Sequence, residues 1–339
     1  MEGPRIAVIG ATGAVGQVFL EILEELSFSF SELRLCATTR SAGTRLMVAG
    51  TEYVVEETTS EISNQVDIVF ISATTEASKH YAPLAAKHGA LVIDDSSAFR
   101  MDPLVPLVVP EVNGDDLINH RGIVAIPNCS TTPLVMVLKP LVDVNPIRRV
   151  VVDTYQSVSG TGSAAVSELQ KQTSQILHEE PVNPSVYPHQ IAFNLFPHID
   201  EFQENGYTKE EIKMVQETRK ILALPNLSLS VTCVRVPVNI GHSEAIHIEF
   251  EHPIEPATVR EILSAQAGIE ILDDPNTNAY PTPMQAEGSN EVLVGRVRQD
   301  LSDPNSIALW ISCDNLRKGA ALNAIQIAEE VINRGLLHQ

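Results

Sequence analysis

Basic residues are scarce in this chain. Lys and Arg number 23 against 43 Asp and Glu, leaving a formal net charge of −20 at pH 7. A surface this acidic repels a phosphate backbone, so nucleic acid is not an expected partner. An anionic small molecule would have to be met by a few basic residues placed locally. Cysteine is scarce too. The four present, Cys36, Cys129, Cys233 and Cys313, are too few and too scattered for a disulfide framework or a CxxC metal site. Long apolar runs are absent. None approaches the ~18 residues of a membrane span, and the first, residues 6–9, is too short for a signal peptide and ends in glycine. The expectation is a cytoplasmic protein with reduced thiols, no bound metal and no membrane partner.

What is present suits a folded enzyme. The 339 residues are 44% hydrophobic, ample for sizeable cores, which excludes disorder and collagen-like repeats and suggests about two domains. Residues 5–10, RIAVIG, read as a buried strand ending at glycine. Val15, Val18, Phe19, Ile22, Leu23 and Leu26 then recur at the spacing of one helix face. Strand-like runs at 33–37, 66–71 and 91–94, the last two separated by helical material, predict parallel pairing in a doubly wound sheet. The middle differs. Runs at 150–155, 228–238, 245–251 and 307–313 with helices near 163–177 and 209–222 predict an α+β domain with a mostly antiparallel sheet. Thr232, Val234, Val236 and Val238 share one parity, as for a strand with one packed face. A final helix is expected over 315–333, and 181–188 is the most loop-like stretch.

Gly10, Gly13 and Gly16 form a GxxGxxG turn, with Thr12, Ala14 and Val15, between the first strand and helix. Such glycines let the backbone approach a pyrophosphate resting on a helix N-terminus. A site for NAD usually carries an acidic residue at the end of the second strand; here the residues are Thr38, Thr39, Arg40 and Ser41, which suit a 2′-phosphate and favour NADP. Cys129 follows Asn128 and precedes the run 134–138, with Pro133 in the first turn and Pro140 closing it. Asn128 is the expected N-cap, and the thiol would sit at a helix N-terminus where a thiolate is favoured. Cys36, Cys233 and Cys313 lie in strand-like runs and read as buried apolar residues. His242, in a glycine-containing turn, is the candidate acid/base, and Gln156 could orient a carbonyl.

Together these segments resemble the aspartate-semialdehyde dehydrogenases. The resemblance adds residues 95–100 (DSSAFR), 127–131 (PNCST), 156–162 (QSVSGTG), 210–213 (EEIK), 235–238 (RVPV) with 241–243 (GHS), and 314–320 (DNLRKGA), in order along nearly the whole chain. It implies a Rossmann-like NADP-binding domain, residues 1–128 with 316–339, and a catalytic and dimerisation domain, 129–315. The implied reaction is reductive dephosphorylation of L-aspartyl 4-phosphate to L-aspartate 4-semialdehyde through a cysteine thioester. Its implied place is lysine (by way of diaminopimelate), methionine and threonine biosynthesis. Cys129 would be the nucleophile, His242 the proton donor and acceptor, and Gln156 the group orienting the acyl carbonyl. Arg235 would pair with the substrate carboxylate, Glu210 with its amine, and Arg100, Asn128 and Lys213 with phosphate. Thr12, Gly13, Ala14, Val15, Arg40, Ser41, Ser159, Gly160 and Asn315 would contact NADP. A homodimer or homotetramer is implied as well.

Thr132 and Pro133 depart from the usual continuation after the cysteine motif. The nearest rival is another phosphorylating aldehyde dehydrogenase, such as N-acetyl-γ-glutamyl-phosphate reductase or glyceraldehyde-3-phosphate dehydrogenase. A free amino group on the substrate calls for an acidic partner such as Glu210, which favours the first reading. A non-catalytic NADP sensor would not need Cys129, His242 and Gln156 together. A cysteine acyltransferase or hydrolase would not need the glycine turn.

Overall fold

A computed structural model describes residues 3–62 and 64–337; residues 1, 2, 63, 338 and 339, all in the expected first domain, lie outside it. The chain divides into two compact units, Met1–Asn128 with Ala320–Gln339, and Cys129–Gly319.

The first unit is built on the strands β1 (Arg5–Ile9), β2 (Glu32–Ala37), β5 (Glu56–Glu57), β6 (Ile68–Ile71), β7 (Leu91–Asp94) and β8 (Ile123–Ala125). They form one parallel sheet in the order β5-β2-β1-β6-β7-β8. Between β2 and β5 a separate hairpin, β3 (Arg45–Val48) with β4 (Thr51–Val54), occupies a stretch with no sequence-based assignment. Alternation along β1 explains why both faces are covered. Ile6 and Val8 enter a core with Phe19 and Leu23 of α1 (Ala14–Glu25) and Ile325 and Ala328 of the C-terminal helix; Phe19 stacks on Phe70 at 4.2 Å. Ala7 and Ile9 face Ala82 and Ala85 of α2 (Thr75–Lys87). Leu26 falls beyond α1 and is exposed, because the helix ends one residue earlier than its apolar spacing predicts. A short helix, α3 (Pro110–Asn113), completes this part of the unit. Chain order reverses between β1 and β6, where the carboxyl ends of an open α/β sheet leave a crevice.

The second unit carries β9 (Ile147–Gln156), β10 (Ser228–Arg235), β11 (His242–Phe250), β12 (Ile269–Ile271), β13 (Val292–Gln299) and β14 (Ser306–Cys313). The order is β10-β9-β11-β14-β13-β12, with β10/β9 and β12/β13 parallel and the other three pairings antiparallel. Helices α4 (Thr131–Val142), α5 (Ser163–Leu177), α6 (Lys209–Ile221), α7 (Pro256–Ser264) and α8 (Pro283–Ala286) accompany it. One face of the sheet is covered: Val150, Val152 and Thr154 of β9 are fully buried, as are Ile246, Ile248 and Phe250 of β11. On β10 the packed parity is Val231, Cys233 and Arg235, whereas Thr232 is exposed and Val234 half-buried. This reverses the expected parity, and Val236 and Val238 lie beyond the strand. Cys36, Cys233 and Cys313 are buried in strands. The expected helix over 315–333 is instead a π-helical turn, Arg317–Ala321, followed by α9 (Leu322–Asn333). The looser turn passes Gly319 close to Cys129; a Cβ there would lie 3.0 Å from the cysteine's own Cβ.

Candidate active site

In the second unit three strand ends converge. β9 and β10 run parallel and pair Gln156 with Arg235 at their carboxyl ends, while the antiparallel β11 begins beside them at His242. Parity places these three side chains on the helix-covered face. His242 therefore does not occupy a mobile turn. The turn ends at Gly241, whose φ of +92° suits glycine, and the imidazole is only 1% exposed.

Cys129 comes just before α4. The N-cap is Ser130, not Asn128, with no side-chain capping bond; Pro133 sits in the first turn, where its missing N–H costs nothing. Pro140 does not end the helix, which continues to Val142. Pro140 can make no hydrogen bond back to the Met136 carbonyl, yet the helix runs two residues beyond it. The thiol lies 3.4 Å from His242 Nε2, and Cys129 is the half-buried member of the four cysteines.

The imidazole is held from behind. Ser157 N–H donates to Nδ1 at 3.1 Å, and Ser157 Oγ lies 3.0 Å from the same nitrogen. That hydroxyl can donate or accept, so Nδ1 keeps a partner in either tautomer while Nε2 faces the sulfur. Asn315 braces the arrangement: its Oδ1 accepts from Gly241 N–H at 3.0 Å and from the hydroxyls of Ser157 and Ser159, both at 3.1 Å. Burial, and then the nearby Arg235 charge, hold the His242 pKa well below its ordinary value, so the ring is neutral at physiological pH.

Gln156 is buried. Its Oε1 accepts from Thr154 Oγ1 at 2.9 Å and its Nε2 donates to Glu210 Oε1 at 3.1 Å. Glu210 stands in the first turn of α6, whose start is fixed by a capping box between Thr208 and Glu211; Glu211 also accepts from Cys233 N–H of β10 at 3.1 Å. Lys213 Nζ reaches Glu210 at 3.2 Å and Asp200 at 2.7 Å. Burial lowers the Lys213 pKa, but these two carboxylates outweigh it and raise it. Arg235 Nη1 donates to Ser157 O at 2.6 Å. Gly160 is exposed beside this cluster: a Cβ there would lie 3.2 Å from His242 Nε2 and 3.3 Å from Arg235 Nη1.

Cys129, His242, Gln156, Glu210, Lys213, Arg235, Ser159, Gly160 and Asn315 thus all belong to the second unit. Arg100 and Asn128 belong to the first, both buried, with Arg100 Nη2 donating to Asp95 O at 2.7 Å. The glycine turn fits a pyrophosphate. Gly10 has φ +92°, a Cβ there would meet Ser72 O at 2.0 Å across the β1/β6 crevice, and one on Gly16 would meet Gly10 O at 2.2 Å. Arg40 and Ser41 lie in the turn after β2, with Arg40 exposed.

Two groups went unassigned in the sequence. Ser157 adjoins Gln156, and no spacing rule marks it as the imidazole's partner. Glu244 lies on β11 at 1% exposure, and among the described residues neither carboxylate oxygen has a hydrogen-bond partner; burial pushes its pKa well up.

Residues 5–120 match the family model for the semialdehyde dehydrogenase NAD binding domain, and residues 138–318 match the semialdehyde dehydrogenase dimerisation domain. The aspartate-semialdehyde dehydrogenase of Aquifex aeolicus is 50% identical over 339 residues, covering 99% of this chain and 100% of the relative. The chain belongs to the aspartate-semialdehyde dehydrogenase family. It is a dehydrogenase with an NAD(P)-binding domain. The crystal structure of aspartate semialdehyde dehydrogenase II from Vibrio cholerae, described as complexed with ASA, has a TM-score of 0.95 and 45% identity, covering 98% of this chain and 99% of that one. A Candida albicans member of the family, solved with NADP, has a TM-score of 0.75 and 25% identity, covering 98% and 99% respectively. No helix among the described residues is long and apolar enough to cross a membrane.

Proposed function

We propose that the chain interconverts L-aspartyl 4-phosphate and L-aspartate 4-semialdehyde with NADP as cofactor, through a thioester on Cys129. The observation that carries the reading is the 3.4 Å approach of Cys129 Sγ to an imidazole clamped from behind by Ser157. A thiol beside a neutral base is a ready nucleophile for an acyl carbon. Cys129 Sγ attacks the acyl phosphate, phosphate leaves, and the N–H groups opening α4 face the developing oxyanion. When bound, the nicotinamide would supply the hydride for the thioester carbon; the C–S bond then breaks, releasing the aldehyde and restoring the Cys129 thiolate. His242 takes and returns the proton at Nε2. Arg235, a planar fork, pairs with the substrate carboxylate and Glu210 with its ammonium group. Lys213, Arg100 and Asn128 hold the phosphate. Gln156 orients the acyl oxygen.

The glycine turn would hold the pyrophosphate on α1, with Thr12, Gly13, Ala14 and Val15 around it. The absence of an acidic residue after β2, with Arg40 exposed there, supports NADP over NAD. Ser159, Gly160 and Asn315 complete the cofactor set. The half-exposed face of the second sheet, with Val151, Tyr155, Val234 and Trp310, supports a homodimer. The free thiols favour the cytoplasm.

The test is spectrophotometric. Purified protein with aspartate semialdehyde, inorganic phosphate and NADP is expected to raise absorbance at 340 nm, and omitting phosphate should abolish the rise. Folded protein giving no signal, or preferring N-acetylglutamate semialdehyde, would overturn the assignment.

A further inference from the structure

The segment around residues 181–190 has no regular secondary structure, yet its backbone is caught by buried side chains. Glu168 of α5, 7% exposed, accepts from Ser185 N–H at 2.8 Å, Val186 N–H at 2.7 Å, Tyr187 N–H at 3.4 Å, and the Ser185 hydroxyl. Burial pushes this carboxyl's pKa up, but the hydrogen bonds win and hold it below the ordinary range. One turn further along α5, Gln172 Oε1 accepts from Ile191 N–H at 2.9 Å and Ala192 N–H at 3.2 Å. A loop whose amides are collected by one helix in this way is held in register, because freeing it strands a buried carboxylate.

The residue delivered is Tyr187. Its hydroxyl donates to Thr161 Oγ1 at 2.9 Å, its ring meets Phe196 edge-on at 5.5 Å, and the Arg235 guanidinium carbon lies 5.9 Å from the ring centroid. Phe196 in turn exchanges backbone hydrogen bonds with Arg235, at 3.2 and 3.0 Å. Arg235 is therefore bounded by the Ser157 carbonyl, the Tyr187 ring and the Phe196 backbone.

We propose that Tyr187 is a positioning residue that presets the Arg235 fork for a substrate carboxylate, and that Glu168 is the latch holding it there. The inference rests on Arg235 being the carboxylate partner. A long arginine side chain has many rotamers, and an aromatic face beside a partly desolvated guanidinium removes most of them before substrate arrives. The benefit appears in binding of the carboxylate substrate, with little change in the chemistry at Cys129.

Steady-state kinetics of Tyr187→Leu, Tyr187→Phe, Glu168→Gln and Arg235→Lys separate the possibilities. Tyr187→Leu is expected to raise KM for aspartate semialdehyde roughly five- to twenty-fold, with kcat within about three-fold and KM for NADP and phosphate unmoved. Tyr187→Phe keeps the ring and should fall between it and the parent. Glu168→Gln should raise the same KM and also speed amide hydrogen exchange at residues 185–187. A Tyr187→Leu variant with unchanged semialdehyde KM, or a proportional loss in every parameter, overturns the proposal. Arg235→Lys tests the underlying reading separately. If it leaves semialdehyde KM unchanged, Arg235 is not the carboxylate partner; if it raises KM while Tyr187→Leu does not, the positioning role alone fails.

Discussion

Gly160 offers a sensitive probe of the site. It lies in a short 3₁₀ turn between β9 and α5, and its φ is not in the left-handed region, so alanine meets no backbone penalty. The added methyl would lie 3.2 Å from His242 Nε2, 3.3 Å from His242 Cε1 and 3.3 Å from Arg235 Nη1, tighter than about nine in ten Cβ contacts. Something must yield by a few tenths of an ångström. The ring has little room to recoil, since it is buried and its Nδ1 is tied to Ser157. A displacement of ~1 Å costs ~10²-fold in rate, so a few tenths should cost about three- to ten-fold from geometry alone. The methyl also lies between the imidazole and the guanidinium, where the proposed roles of His242 and Arg235 would put the acyl group. Gly160→Ala is therefore expected to lower kcat/KM for the semialdehyde by roughly ten- to a hundred-fold. Stability should change by no more than about 1 kcal/mol, because the strain of the close contact opposes the ~0.4–1 kcal/mol gained from a less flexible unfolded chain. Parallel 340 nm kinetics and thermal melts test both halves. Wild-type kcat/KM in a folded variant would refute the placement of His242 and Arg235 about this glycine.

Other expectations follow from the same geometry. Cys129→Ala should abolish turnover in both directions at an unchanged melting temperature; residual 340 nm activity would put the nucleophile elsewhere. Asn315→Ala strands the buried Gly241 N–H and should cost about 1–3 kcal/mol in urea unfolding, with a fall in kcat. Glu244 has its pKa raised by burial, so the fold retains a proton that the unfolded chain releases above about 4.5, and stability falls as pH rises through that region. Glu244→Gln should match the parent near pH 4 and become increasingly more stable than it towards pH 8; a pH-independent difference in chemical unfolding would contradict this. Arg40→Glu should reduce the preference for NADP over NAD, read as the ratio of kcat/KM for the two cofactors.

The first unit was the more legible part. Parallel strands buried on both faces advertise themselves as continuous apolar runs, and the glycine turn follows from the local demands of Gly10 and Gly16. The thiol's place at the start of a helix was legible, but the setting of the imidazole was not. His242 reads as a turn residue because Gly241 precedes it, while long-range pairing with Cys313 and the neighbouring β9 draws it into β11. The parity of β10 was misread because the valines after Arg235 continue the alternation past the strand's end. The Ser157 and Asn315 bracing, and the Glu168 latch, depend on contacts across many residues that no local pattern encodes.

The parallel pairing of β9 with β10 has an evolutionary corollary. Adjacent parallel strands cannot be closed by a hairpin, and here the connection is a long excursion through α5 and α6. Glu210, Lys213 and Tyr187 all ride on that excursion, whereas Cys129 and His242 are anchored outside it. On the proposed roles, the amine and phosphate contacts of Glu210 and Lys213 are thus carried by a different part of the polypeptide from the sulfur and the imidazole, while the carboxylate partner Arg235 stays on β10. An exchange of the 161–227 insert between related enzymes is expected to alter the first set of contacts and leave Cys129, His242 and Arg235 in place.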